Sequence, residues 1–110
     1  MTANPTPAER YSALVGALID RPGVTLADGM MRASGQLRVH NRIFAMLVLD
    51  RLVVKLPKAR VDARVASGAG VRFEPGTGRV MKEWLSVGVD SADDWLALAE
   101  EALGFVGRKG

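Results

Sequence analysis

"QLRVHNRIFAMLVLDRLVVKL", Gln36 to Leu56, is the stretch that decides the fold. Three apolar, largely branched runs are separated by the polar pairs His40-Asn41 and Asp50-Arg51. Runs of this kind, broken by two polar residues at a time, form antiparallel hairpins joined end to end. The stretch therefore predicts a meander of strands. Its middle run, Ile43 to Leu49, is apolar almost throughout, which predicts a central strand covered on both faces.

Upstream, Thr6-Pro7-Ala8-Glu9 reads as a helix start: a capping threonine, a proline in the first turn and a glutamate that completes the capping box. Tyr11, Leu14, Val15, Leu18 and Ile19 then recur at helical spacing, and Asp20-Arg21-Pro22-Gly23 stops the helix. Val24 to Met31 carries a weak pattern for one short strand. Downstream, Pro57 opens a short helix with Val61 and Val65 toward the core and Lys58, Arg60, Asp62 and Arg64 outward. Gly68 and Gly70 end it.

Glu74-Pro75-Gly76-Thr77-Gly78 reads as a loop, and from Met81 the apolar residues Met81, Leu85, Val87 and Val89 fall at odd positions. That is a strand period, with Trp84 on its other face. Ser91 and Asp94 open a last helix, whose stripe is Trp95, Leu98, Ala99, Ala102, Phe105 and Val106 and whose end is Gly107. The whole order predicts an α+β fold. An antiparallel sheet of four to five strands carries the N- and C-terminal helices on one face, with one short helix between strands. No repeat or long linker divides the 110 residues, so one domain spans 1–110, with an ordered core from about 7 to 107.

Composition narrows the function. Hydrophobic residues at 48% and charged residues at 25% give a globular balance and not a disordered one. Cysteine is absent, which excludes disulfides and thiolate metal sites. Neither a transmembrane run nor the basic-then-apolar start of a signal peptide is present, so the expected location is the cytoplasm, with no membrane partner. Net charge is +3, a mild attraction for polyanions.

Residues that would carry chemistry have simpler readings. "PGTGR" is followed by a strand pattern and so lacks the helix N-terminus that makes a glycine-rich loop grip phosphate. Lys82 and Glu83 are adjacent in a strand and point to opposite faces. The single histidine, His40, sits in a turn, where it forms neither a metal cluster nor a buried triad. No serine has a nucleophile-elbow context. The expectation is a chain with no catalytic residue, no metal and no cofactor. Basic residues come from the sheet (Arg38, Arg42, Arg51, Lys55), the short helix and the loop beyond it. The candidates for contact with an anion or a nucleic acid are Arg42, Lys55, Lys58, Arg60, Arg64, Arg79 and Lys82, provided several share one face.

"MMRASGQLRVHNRIFAML", then "LVVKLP", then "FEPGTGRVMKEW" and a closing helix together resemble the TfoX N-terminal domain family of bacterial proteins. The likeness runs from about Tyr11 to Val106. Where family members carry a double glycine after "MF", this chain has Met30-Met31-Arg32-Ala33-Ser34-Gly35. The resemblance implies a standalone α+β domain without the helical C-terminal domain of full-length TfoX proteins, which regulate DNA-uptake competence. It also implies a non-enzymatic regulatory module that binds a protein, with a second copy of itself as one expected partner. A similar small fold, of the YjbR type, is linked with DNA binding, which makes nucleic acid the alternative partner.

Overall fold

In the computed structural model the described residues are 6–27, 33–74, 81–89 and 94–109. Helix α1 is Pro7–Leu18. It begins as its sequence dictates: the Thr6 hydroxyl accepts from the Glu9 amide at 3.1 Å, and the Thr6 amide donates to Glu9 Oε1 at 2.8 Å. That second bond holds the Glu9 carboxyl below its usual range. Strands β1 (Val24–Ala27), β2 (Ala33–Val39), β3 (Arg42–Val48) and β4 (Arg51–Lys55) follow, then helix α2 (Lys58–Ala66), strands β5 (Val71–Phe73) and β6 (Met81–Val87), and helix α3 (Trp95–Lys109).

The fold is α+β; the described residues form three helices on a fully antiparallel sheet. The sheet has six strands in the order β1-β2-β3-β4-β6-β5, where the sequence predicts four to five. β1 is the short strand expected within Val24 to Met31; β5 is the additional one, and with three residues it is too brief for a clear alternation. The hairpin at His40-Asn41 stands where its polarity places it, with φ of 52° and 66°, the left-handed pair that a two-residue primed turn needs. The next turn comes one residue early. Leu49 and Asp50 form it, not Asp50 and Arg51, and both have positive φ. Arg51 is drawn into β4 opposite Val48, and its Nε donates to Ser86 Oγ at 2.8 Å on β6. The last helix likewise runs through Gly107 to Lys109.

Register fixes what each face carries. Leu26, Leu37, Ala45, Val54, Leu85 and Arg72 form one row across all six strands, and Leu47, Leu52 and Val87 form the next. Leu37, Ala45, Leu47, Leu52, Val54, Leu85 and Val87 are buried in one core with Tyr11, Leu14 and Leu18 of α1, Val61 of α2, and Trp95, Leu98, Ala99, Ala102 and Val106 of α3. All three helices therefore lie on this side. One extra residue of β3 opposes β2 between the pairs Leu37–Ala45 and Arg38–Ile43, a bulge that lets adjacent Phe44 and Ala45 both be fully buried. Arg21 next to α1, and Arg60 and Arg64 of α2, pair with Glu100, Glu101 and Asp94 in or beside α3, so α3 is clamped from both flanks.

Alternate residues make the opposite face. Met46, Val53, Ser86 and Val71 form a row across β3, β4, β6 and β5, and Lys55 pairs with Trp84. Ile43, Met46, Val48, Val53 and Trp84 do not belong to the core and do not pack against it. Among the described residues no helix covers this face. That corrects the expectation of a central strand covered on both sides. The uninterrupted apolar run of β3 is accounted for by the bulge, which sends Phe44 inward with Ala45, and by Met46 and Val48 on the open side.

Candidate functional site

Charge separates the two sides of the sheet. The six strands carry Arg38, Arg42, Arg51, Lys55, Arg72 and Lys82 against a single carboxylate, Glu83. Arg72 turns to the helical side, where it donates to Asp62 Oδ1 at 2.6 Å. Arg42 pairs with the core residue Val39 at the hairpin end and so has the helical-side register, whereas Arg38, Arg51, Lys55 and Lys82 belong to the open face. Its middle is aliphatic, with Val53 fully buried although no helix lies above it. Two of its basic neighbours are held by neutral groups. Arg51 reaches across to β6, where its guanidinium also donates to the Ser86 carbonyl at 3.2 Å, and Lys55 Nζ sits 5.8 Å from the centre of the Trp84 ring, within cation–π range. Long basic side chains commonly lay their methylenes over apolar surface and leave the charge in water.

At the His40-Asn41 end, where the open face meets the side of α3, lies a groove of about 370 Å³, lined by Arg38, Asn41, Arg42, Ile43, Lys55, Trp84 and Val106. β2 supplies Arg38, the turn supplies Asn41, β3 supplies Arg42 and Ile43, β4 and β6 supply the Lys55–Trp84 pair, and α3 supplies Val106. Arg38 is oriented from its own strand: Nη2 donates to Gln36 Oε1 at 2.9 Å. Its Nε is buried and makes no hydrogen bond. Among the described residues no carboxylate lines the groove.

The seven candidate residues divide. Arg42 and Lys55 meet in the groove. Lys82 is exposed on β6 and shares the Trp84 face by strand alternation. Lys58 pairs with Asp62 at 2.8 Å, Arg60 pairs with Glu101 at 2.6 Å, and Arg64 lies 3.6 Å from Asp94 and donates to the Ala69 carbonyl at 3.2 Å. These three belong to the helical side, so the candidate cations do not form one patch. Arg79 lies outside the described residues, as do Gly76 and Gly78 of the loop before β6. Arg38 and Arg51 matter more than the sequence suggests. Their signal was their place in strands β2 and β4, which becomes readable only once register is known.

His40 is exposed in its turn, with the ring closed over Gly23. A Cβ at Gly23 would lie 2.8 Å from the ring, and its φ of 78° favours glycine independently. Trp84 and Trp95 play different parts. Trp95 is buried and donates from Nε1 to the Gly88 carbonyl at 3.1 Å, whereas Trp84 is half-buried beside the groove. Among the described residues no three His, Asp or Glu side chains come together as metal ligands, and no helix is long and apolar enough to cross a membrane. No family model, no curated protein and no solved structure matches this chain.

Proposed function

We propose that this chain is a non-enzymatic interaction module of the TfoX N-terminal type, acting in the cytoplasm, which docks an acidic segment of another protein on its open sheet face. One observation carries the reading: an aliphatic strip of Ile43, Met46, Val48 and Val53 is bordered by Arg38, Arg51, Lys55 and Lys82, with no carboxylate facing them from the other strands. Methionine, arginine and a half-exposed tryptophan around an apolar centre are what protein-binding surfaces are enriched in. The resemblance of Phe73 to Trp84 and of the hairpin to that family supports the module but names no partner.

Nucleic acid is the second reading, favoured by the excess of cations on the strands. Stacking needs aromatic faces, and Trp84 already has Lys55 over its ring, while the rest of the strip is aliphatic. A face-to-face homodimer would bring together two faces of the same positive sign, which disfavours a second copy as the partner at this face.

The test is titration with a peptide that alternates Glu and Leu, read by Trp84 fluorescence in a Trp95→Phe background. Binding that disappears in Arg51→Glu/Lys55→Glu and persists in Arg60→Glu supports the reading. Equal binding by the Arg51→Glu/Lys55→Glu variant sinks it. Tighter binding of a single-stranded oligonucleotide, with a steep fall in affinity from 50 to 200 mM salt, would transfer the face to nucleic acid.

A further inference from the structure

We propose that the groove at the His40-Asn41 end binds a phosphoryl group carried by the partner's acidic segment, as phosphoserine or phosphothreonine. The inference rests on the reading of the open face as a protein-docking surface and names the group that the groove at its end accepts.

Charge is the first argument. Arg38, Arg42 and Lys55 line one groove of about 370 Å³ together with the Asn41 amide, and none of the described acids lines it. Among the described residues none of the three forms an ion pair, whereas Lys58, Arg60, Arg64 and Arg72 all have carboxylate partners. A partner's carboxylate brings one negative charge. A phosphate monoester brings about −1.5 to −2 at neutral pH and three acceptor oxygens, a closer match to two guanidinium groups and an ammonium.

Donor placement is the second. Gln36 restrains Arg38 through Nη2, and with Nε buried the guanidinium meets the groove through its terminal nitrogens. A restrained guanidinium suits the paired contacts that phosphate oxygens accept. The third argument is the wall. Ile43, Trp84 and Val106 give the groove an apolar side, which a bare inorganic anion would not use and a phosphorylated residue with an apolar neighbour would.

The experiment compares three probes by calorimetry: the Glu/Leu peptide with one central phosphoserine, the same peptide with serine, and inorganic phosphate. The phosphopeptide is expected to bind at least about tenfold tighter than the serine form, because charge-assisted contacts exceed neutral ones. Inorganic phosphate should compete only weakly. The gain should disappear in Arg38→Gln and in Lys55→Met, with thermal midpoints near that of the parent, and should persist in Arg60→Gln. It should also shrink as pH falls through about 6, where the second phosphate ionisation is lost. Equal affinity for the two peptides overturns the phosphoryl proposal and leaves the docking face standing. A phosphate gain that survives Arg38→Gln and Arg42→Gln together also overturns it. Binding of neither peptide overturns both readings.

Discussion

The two sides of the sheet treat their cations differently. On the helical side five cations are matched with acids, Arg21 with Glu100, Arg60 with Glu101, Arg64 with Asp94, and Lys58 and Arg72 both with Asp62, while Arg108 donates to the Gly104 carbonyl. On the open side they are held by neutral groups: Arg38 by the Gln36 amide, Arg51 by Ser86, and Lys55 by the Trp84 ring. A paired charge attracts little beyond its partner. One held in place by neutral atoms keeps its field and is already ordered, so a ligand that meets it loses less side-chain entropy. The helical side is organised for cohesion and the open side for contact.

The sharpest way to break this contrast uses adjacent residues. Val53 and Val54 are both fully buried, but Val54 faces the helices and Val53 the open side. Phe44→Ala, deep in the core, should cost about 3–5 kcal/mol and sets the upper end of the scale. Val54→Ala should cost about 2 kcal/mol, since its surroundings cannot close over the lost methyls. Val53→Ala should cost clearly less, because it stands outside the core cluster that the helices close. Denaturant unfolding with linear extrapolation measures all three. Equal costs at the two valines would show that the open face is packed as firmly as the core.

A smaller effect separates the sides by pH. The Tyr11 hydroxyl donates to the carbonyls of Gly35 at 2.5 Å and Ala45 at 3.3 Å, which ties α1 to the helical side of the sheet. Burial pushes its ionisation well above the usual phenol range. A raised pKa means that the folded state keeps the proton longer than the unfolded chain. The contribution is whole below the unfolded pKa near 10 and is lost as pH rises beyond it. Stability should therefore begin to fall near pH 10. Tyr11→Phe should cost about 1–2 kcal/mol at neutral pH, by leaving two carbonyls without this donor, and should flatten the alkaline decline. An unchanged decline in Tyr11→Phe would assign it to another group.

Much of this division is readable in the sequence. The capping box at Thr6 and Glu9, the primed turn at His40-Asn41 and the stripe of α3 are local patterns, and local physics sets them. The open face is not local. The apolar run from Ile43 to Leu49 looks the same whether a second layer covers it or not, because a bulge of one residue at Phe44 changes which neighbours face inward. Arg38 and Lys55 lie seventeen positions apart, and nothing in their own neighbourhoods tells that register brings them to one groove. Conversely, Lys58, Arg60 and Arg64 look like free cations from their helix alone. Their partners Glu101 and Asp94 come from the far end of the chain.

Those partners give the next prediction. Glu101→Gln removes a two-bond contact with Arg60 at 2.6 and 3.0 Å. The groups are exposed, so the expected loss is only about 0.5 kcal/mol, and it should shrink further in 1 M salt. Asp62 behaves in the same sense in acid: hydrogen bonds from Lys58 first, and then Arg72, hold its carboxyl below the usual range. Its contribution is present above the unfolded pKa near 4 and is lost as pH falls through the lower folded value. A salt-insensitive loss in Glu101→Gln would mean that Glu101 acts by packing and not by charge.

The smallest expected change in stability belongs to Lys55, and that smallness is what makes it informative. Lys55→Met removes a cation–π contact worth about 0.5–1 kcal/mol at an exposed site. The substituted side chain keeps an apolar stem of similar reach beside Trp84, which returns part of that loss. The thermal midpoint should therefore move very little. If the open face is a contact surface, the same substitution should weaken binding of an acidic peptide far more than it weakens the fold, because it removes a pre-placed charge and leaves the scaffold intact. A residue that only stabilised the sheet would change both together. Measuring the two quantities on one variant decides between these roles, and a large drop in stability with unchanged peptide affinity would return Lys55 to the structural side of the comparison.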